Sequence, residues 1–348
     1  MVPQAAVVTS GLTKHFGQRA AVEKVDIELP SGVVSGFVGP NGAGKTTTIQ
    51  MLLGLVRPTS GSARVLGHPI SDPSAYLPRV GALIESPAFY PTLSGARNLS
   101  VLTRLGRLDR QRIDTVLDLV GLTERRNDLV RTYSLGMKQR LGVAAALLPD
   151  PELVILDEPT NGLDPAGIRE IRSLLRDLAD RGITVFVSSH LLSEIEAICD
   201  HLVMISRGEI VFQGGVTALL EAQRDALLAT PEHPHDVPAL AELCAGLGKP
   251  AHPEGDSVRV QAGEEWAAEL NRQAMAAGIT LKGLQAARAS LEEAFFAITG
   301  DEAPPDPRDP RDPRDPRDPR DPRDPPDPPD PPDRPDPRDP PDPPMAER

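Results

Sequence analysis

Residues 39–46 read Gly-Pro-Asn-Gly-Ala-Gly-Lys-Thr, between a short apolar run at 36–38 and a helical pattern over 46–55 that stops near Arg57-Pro58. No other feature restricts the fold of this chain as much. Gly39, Gly42 and Gly44 let the backbone curl so that several N–H groups face one point, and the helix that follows adds its positive end. Such a turn holds phosphate. Lys45 can reach the β- and γ-phosphates of a nucleoside triphosphate, and the Thr46 hydroxyl can hold Mg²⁺. Pro40, Asn41, Ala43 and Thr47 complete the expected binding loop. The expected fold class is therefore α/β with a P-loop NTPase core.

The rest of the chain has to supply the other half of phosphoryl transfer. Residues 153–158 read Leu-Val-Ile-Leu-Asp-Glu, a buried strand that ends in two carboxylates. One carboxylate near the metal and one group that orients or deprotonates water is what the reaction needs. Asp157 suits the metal and Glu158 suits the base. A second continuous apolar run at 183–187 predicts another buried parallel strand, with a helix at 166–179 between the two. Residues 21–29 alternate like an antiparallel strand, 91–149 carry helical periodicity, and 202–205 with 209–212 read as a hairpin. From 216 the pattern restarts, with strands near 226–229, 258–260 and 279–281. A last helix follows Ser290, which stands at capping-box distance from Glu293.

Composition narrows the function. The net charge is −13, but residues 301–348 hold 20 of the 38 prolines and 16 acidic residues against 9 arginines. Their Asp-Pro-Arg and Asp-Pro-Pro triplets offer nothing apolar to bury, so a disordered low-complexity tail is expected, read as a solvated appendage rather than a docking segment. The remainder is only mildly acidic, which gives no basic face for nucleic acid. Cys199 and Cys244 form no metal-like cluster and suit inert core thiols in a reducing compartment. The first ten residues lack a charged segment followed by an apolar one, so no secretion leader is expected. No apolar run approaches the ~18–20 residues of a membrane span. The expectation is a cytoplasmic protein with no direct membrane insertion.

Residues 133–140, Tyr-Ser-Leu-Gly-Met-Lys-Gln-Arg, resemble the signature motif of ABC ATPases, in its usual order after the P-loop and before the Asp157-Glu158 strand. The resemblance runs through residues 10–215. Asn161-Gly-Leu-Asp164 is similar to the D-loop, His190 to the switch histidine, and Phe16 stands where an aromatic residue stacks on adenine. Taken singly, His190 or Phe16 would read as structural; the ordered set reverses that. Two positions depart from the usual pattern. The signature reads Ser-Leu-Gly-Met-Lys where Leu-Ser-Gly-Gly-Gln is common, keeping Ser134 and Gly136. The Q-loop position carries Glu85. Both features, and the segment 290–300, resemble the branch of lantibiotic-immunity, bacitracin-export and drug-export ATPases.

What the resemblance implies is an ATP-hydrolysing subunit that powers export through a separate integral membrane permease, peripheral on the inner face of the cell membrane. It implies an ATP- and Mg²⁺-dependent head-to-tail dimer with itself, in which Ser134 and Gly136 of one copy close over the P-loop of another, and it counts Asp164 of the D-loop among the nucleotide-binding residues. Glu158, His190 and Lys45 would be catalytic. Thr46, Asp157 and Glu85 would face the metal, Glu85 with a full charge where glutamine is usual. The implied layout is an ABC ATPase domain over 1–215 with a helical signature subdomain at about 88–150, a small α+β accessory domain at 216–300, and the tail. The rival is a soluble ABC ATPase acting on nucleic acid or ribosomes. A single P-loop and the absence of room for a long coiled coil between residues 45 and 134 disfavour it.

Overall fold

The computed structural model describes residues 5–84, 88–221, 226–286 and 290–299; Glu85 and the tail from 301 lie outside the described residues. At the centre is a six-stranded sheet in the order Glu209–Gly215, His201–Ser206, Val34–Val38, Thr184–Ser189, Leu153–Asp157, Val80–Leu83. Its neighbours run parallel except for the hairpin of the first two strands. The strands Val34–Val38, Leu153–Asp157 and Thr184–Ser189 are buried at every position. That is why apolar runs such as 153–156 and 185–187 sit in them: parallel strands are covered on both faces.

Side-chain parity sorts this sheet into two cores. Leu153, Ile155, Phe37 and Phe186 point to one side, where Ile49, Met51 and Leu52 of the helix Lys45–Leu52 meet them. Val154, Leu156, Val185 and Val187 point to the other side, against Leu141, Val143, Leu174 and Leu178 of the helices Leu135–Leu147 and Pro165–Asp180. Burying one such side chain contributes roughly 1.5–3 kcal/mol. Phe37 and Phe186 stack at 5.3 Å between ring centroids.

A second, antiparallel sheet closes over the helix Lys45–Leu52. In it the long strand Ala5–Phe16 pairs with Arg19–Val25, Glu28–Pro30 and Ser60–Val65. The expected single strand at 21–29 is thus two strands on one partner. The helices Gly95–Gly106, Arg112–Leu119 and Leu135–Leu147 fill the stretch expected to be helical.

The third sheet is antiparallel in the order Ala251–Glu254, Ser257–Val260, Leu227–Pro231, Leu281–Ala286. With the helices Val237–Gly246 and Ala267–Ala276 it makes a double split β-α-β unit with its own core of Leu227, Leu240, Val258, Val260 and Leu270. The final helix Leu291–Thr299 belongs to a different core: Leu291 and Phe295 pack with Ile195, Ile198 and Val216. Its first amide, on Leu291, donates to Glu196 Oε2 at 3.0 Å. The Glu293 side chain of the expected capping box lies outside the described residues. Both cysteines are free and buried, and burial raises both thiol pKa values, that of Cys244 to about 11, which fits inert thiols.

Candidate nucleotide site

Parity also builds the site. Along Leu153–Asp157 the odd-numbered residues face the helix Lys45–Leu52, so Asp157 emerges on the side where that helix begins. There the Thr46 hydroxyl donates to Asp157 Oδ2 at 2.7 Å. On the adjacent strand, Ser188 shares this side and donates to Asp157 Oδ1. Asp157 is buried, with Thr46 on one carboxylate oxygen and Ser188 on the other. Two hard oxygen donors held together at the end of a phosphate loop form a donor set of the kind Mg²⁺ prefers.

Glu158 then leaves the strand with φ +50. A left-handed conformation at a non-glycine residue is uncommon and clusters at functional sites. The amide of Glu158 donates to Ser188 Oγ at 2.9 Å. Its two carboxylate oxygens reach two cationic or polar partners: Lys45 Nζ lies 3.3 Å from Oε1, and His190 Nδ1 lies 2.7 Å from Oε2. Lys45 Nζ also donates to the carbonyl of Gly39 at 2.7 Å and to that of Pro40 at 3.4 Å, and it is only 5% exposed. The loop therefore wraps its own lysine, which is aimed by backbone carbonyls and by Glu158.

The loop's glycines are there for close approach. Gly44 has φ +110, and a Cβ on it would stand 2.5 Å from the carbonyl oxygen of Ala21. A Cβ on Gly39 would stand 2.1 Å from the carbonyl oxygen of Ile205. Ala43 is buried and its carbonyl accepts from the Gly208 amide at 3.0 Å, which fixes the loop to the neighbouring hairpin turn.

These groups open into a cleft of about 620 Å³. Of the residues expected in the site, Phe16, Asn41, Gly42, Gly44, Lys45, Thr46, Thr47, Glu158 and His190 line it. Phe16 ends its strand and is 53% exposed, with Lys14 Nζ 5.0 Å from the ring centroid. An exposed ring at the mouth of a phosphate site presents a face for stacking. Arg19 and Asn161 also line the cleft. The D-loop resemblance gives Asn161 no place in the site, and Arg19 belongs to no motif. Ser134, Gly136 and Asp164 do not line it. Ser134 caps the helix Leu135–Leu147 by accepting from the Met137 amide at 3.2 Å, and Asp164 caps Pro165–Asp180 by accepting from the Gly167 amide at 3.0 Å.

Comparison with known proteins gives a consistent set of relatives. The ABC transporter family model matches residues 22–161. A bacitracin transport ATP-binding protein of Bacillus licheniformis is 48% identical over 208 residues, which is 59% of this chain and 68% of that protein. A daunorubicin/doxorubicin resistance ATP-binding protein of Streptomyces peucetius is 35% identical over 315 residues, covering 86% of this chain and 94% of that one. Among solved structures, cbiO1 of Clostridium perfringens, part of an ABC transporter complex, aligns with a TM-score of 0.58 at 25% identity over 63% of this chain and 92% of its own.

Proposed function

Because this chain belongs to the ABC transporter ATP-binding proteins, we propose that it drives export of a peptide-antibiotic-like or drug-like amphipathic compound through a separate membrane permease. The family is one of ATP-hydrolysing subunits, and relatives named for bacitracin transport and daunorubicin/doxorubicin resistance support export over a soluble role on nucleic acid or ribosomes. Among the described residues no helix is long and apolar enough to cross a membrane. The chain would then act at the inner face of the membrane, held there by its permease.

The observation that carries the reading is the cleft in which Lys45, Thr46, Glu158 and His190 converge at the end of the Asp157 strand. In it the backbone N–H groups of residues 41–46 and Lys45 bind the β- and γ-phosphates. Phe16 offers its ring to the base. Thr46 and Asp157 would hold Mg²⁺, which when bound neutralises charge on the phosphates. Glu158 takes a proton from the attacking water, and His190, already against Glu158, keeps that carboxylate aimed and meets the γ-phosphate. Arg19 and Asn161, at the cleft wall, are further candidates for nucleotide contact.

Glu85 is proposed as a metal-facing loop residue, and Ser134, Gly136 and Asp164 as the groups through which a second copy seals the cleft. Residues 1–215 are proposed as the catalytic domain and 216–300 as an accessory domain. The test is ATPase activity of this chain reconstituted in lipid with a candidate membrane permease. Turnover stimulated by a peptide antibiotic or an anthracycline, and lost in Lys45→Ala, is the expected result. Mg·ATP turnover that no such compound alters would overturn the export assignment.

A further inference from the structure

Two consecutive serines end the strand Thr184–Ser189, and parity sends them to opposite faces of the sheet. Ser188 goes to the P-loop side, where it serves Asp157 and the Glu158 amide. Ser189 goes to the other side, and what it meets there is a carboxyl group. Ser189 Oγ donates to Glu194 Oε2 at 3.4 Å while accepting from the Leu191 amide at 3.0 Å. The same Oε2 accepts from the Thr160 hydroxyl. All three side chains are buried: Ser189 is 2%, Glu194 5% and Thr160 8% exposed.

A buried carboxyl is costly unless polar partners satisfy it. Glu194 occupies the first turn of a five-residue helix, Leu192–Glu196, among Ile195, Ile198 and the central strands. An apolar residue there would stabilise the same packing at lower cost. What the carboxyl does instead is join two loops that arrive from different strands. Thr160 lies in the loop that leaves Leu153–Asp157 and carries Glu158; its carbonyl accepts from the Leu163 amide at 3.1 Å, so it anchors the turn running on to Asp164. Ser189 and Leu191 flank His190. One oxygen atom therefore clasps the loop of the general base to the loop of the switch histidine, on the face away from the nucleotide, while Glu158 and His190 touch at 2.7 Å on the near face.

We infer that Glu194, through Thr160 and Ser189, is a positioning residue for ATP hydrolysis: it sets the spacing of Glu158 and His190 without touching the nucleotide. The inference rests on the assignment of those two residues to catalysis. Loosening the clasp leaves the P-loop, Lys45 and Thr46 where they are, so nucleotide binding stays and turnover falls. A misplacement of the order of 1 Å costs on the order of 100-fold in rate.

The experiment is single-turnover cleavage of Mg·ATP by a saturating excess of the purified full-length chain, with nucleotide affinity measured separately by a fluorescent ATP analogue. Thr160→Val, close to isosteric, and Glu194→Ala are each expected to lower the cleavage rate on the order of 10–100-fold with affinity within twofold of wild type. Thr160→Ser, which restores the hydroxyl, is expected to recover the rate. Glu194→Gln, whose amide oxygen can still accept from Thr160, is expected to stay within severalfold. The double variant Thr160→Val/Glu194→Ala is expected to be no slower than the worse single one, because both remove the same link. Glu158→Gln runs beside them. If Glu158→Gln is inactive while Thr160→Val cleaves at the wild-type rate, the clasp is wrong and the catalytic assignment stands. If Glu158→Gln cleaves normally, the assignment itself fails. A loss of rate in Thr160→Val matched by an equal loss of affinity, or not recovered in Thr160→Ser, would show a folding contact only and overturn the inference.

Discussion

Glu158→Gln separates the two tasks that the structure gives one side chain. The carboxylate is placed to take a proton from water, and it also holds Lys45 at 3.3 Å. Loss of a general base typically costs 10²–10⁴-fold in rate, which is about 3–5 kcal/mol on the barrier. The second task acts in the opposite direction. With an effective dielectric of about 20, the attraction at this distance is about 5 kcal/mol before desolvation is charged against it. The lysine is buried and the glutamate about one-fifth exposed, so most of that is offset and a net of roughly 1 kcal/mol remains. An incoming triphosphate has to compete with this pair for the lysine. Removing the charge therefore frees Lys45, and binding should tighten about fivefold while turnover falls at least 100-fold. Equilibrium titration with a fluorescent ATP analogue and a steady-state phosphate-release assay on the same preparation measure both. Turnover within threefold of wild type would refute the base assignment. Tenfold weaker binding would refute the competition argument.

Three more perturbations test other parts of the structure. Gly44→Ala places a Cβ 2.5 Å from the Ala21 carbonyl oxygen at φ +110, so it should cost about 1–3 kcal/mol in a chemical unfolding curve and weaken nucleotide binding tenfold or more; an unaffected variant would mean that the loop is not under this constraint. His201 has its pKa lowered by burial, against a smaller raising effect of Glu28, and its buried Nδ1 has no hydrogen-bond partner. A depressed histidine favours the folded state above the unfolded pKa of about 6.5 and loses that contribution as pH falls through the folded value, so the urea midpoint should drop between pH 7 and pH 5, and His201→Gln should flatten the drop. Deleting residues 301–348 should leave basal ATPase activity within twofold, because nothing in their composition can pack against a catalytic core; a large loss would give the tail a role in turnover.

The chemistry was legible where it depends on backbone geometry that only certain residues allow. Gly39, Gly42 and Gly44 before Lys45-Thr46 announced a phosphate loop, and the structure shows why glycine stands there: a Cβ on Gly39 or Gly44 would meet the Ile205 or Ala21 carbonyl, and Gly42 has φ +79. Asp157 and Glu158 were visible because two charges at the end of an apolar strand have no packing explanation. What stayed hidden depends on contacts that a linear reading does not contain. The strand Ala251–Glu254 has three exposed residues, Pro253 among them, and becomes an edge strand through its pairing with Ser257–Val260. Residues 25–29 alternate apolar and polar, but Asp26 accepts from the Gly11 amide at 2.6 Å and the strand is interrupted at 26–27. Arg19 reaches the cleft because the hairpin turn after Phe16 carries it there. No motif in the sequence singles out Glu194, and only its burial with Thr160 and Ser189 gives it a task.

Ser134 offers the sharpest test of the proposed pairing of two copies, because it already has one use. Its hydroxyl accepts from the Met137 amide at the head of the helix Leu135–Leu147, and it is solvent-exposed, away from the cleft of its own chain. A hydroxyl that accepts one hydrogen bond still has a proton to donate. The cap and a contact to a phosphate oxygen of a second copy are therefore compatible in one serine. They can be separated by Ser134→Asp. Aspartate is as good an N-cap as serine and suits the positive helix end, so the melting temperature should not fall. It has no proton to give and adds negative charge where the γ-phosphate would sit, so ATP-dependent pairing of Glu158→Gln, measured by light scattering, should disappear on adding Ser134→Asp. Ser134→Ala should lose the pairing and also about 1 kcal/mol of stability. If the aspartate variant still pairs on adding Mg·ATP, the serine serves its own helix alone and the phosphate of the neighbouring copy is sealed by other groups.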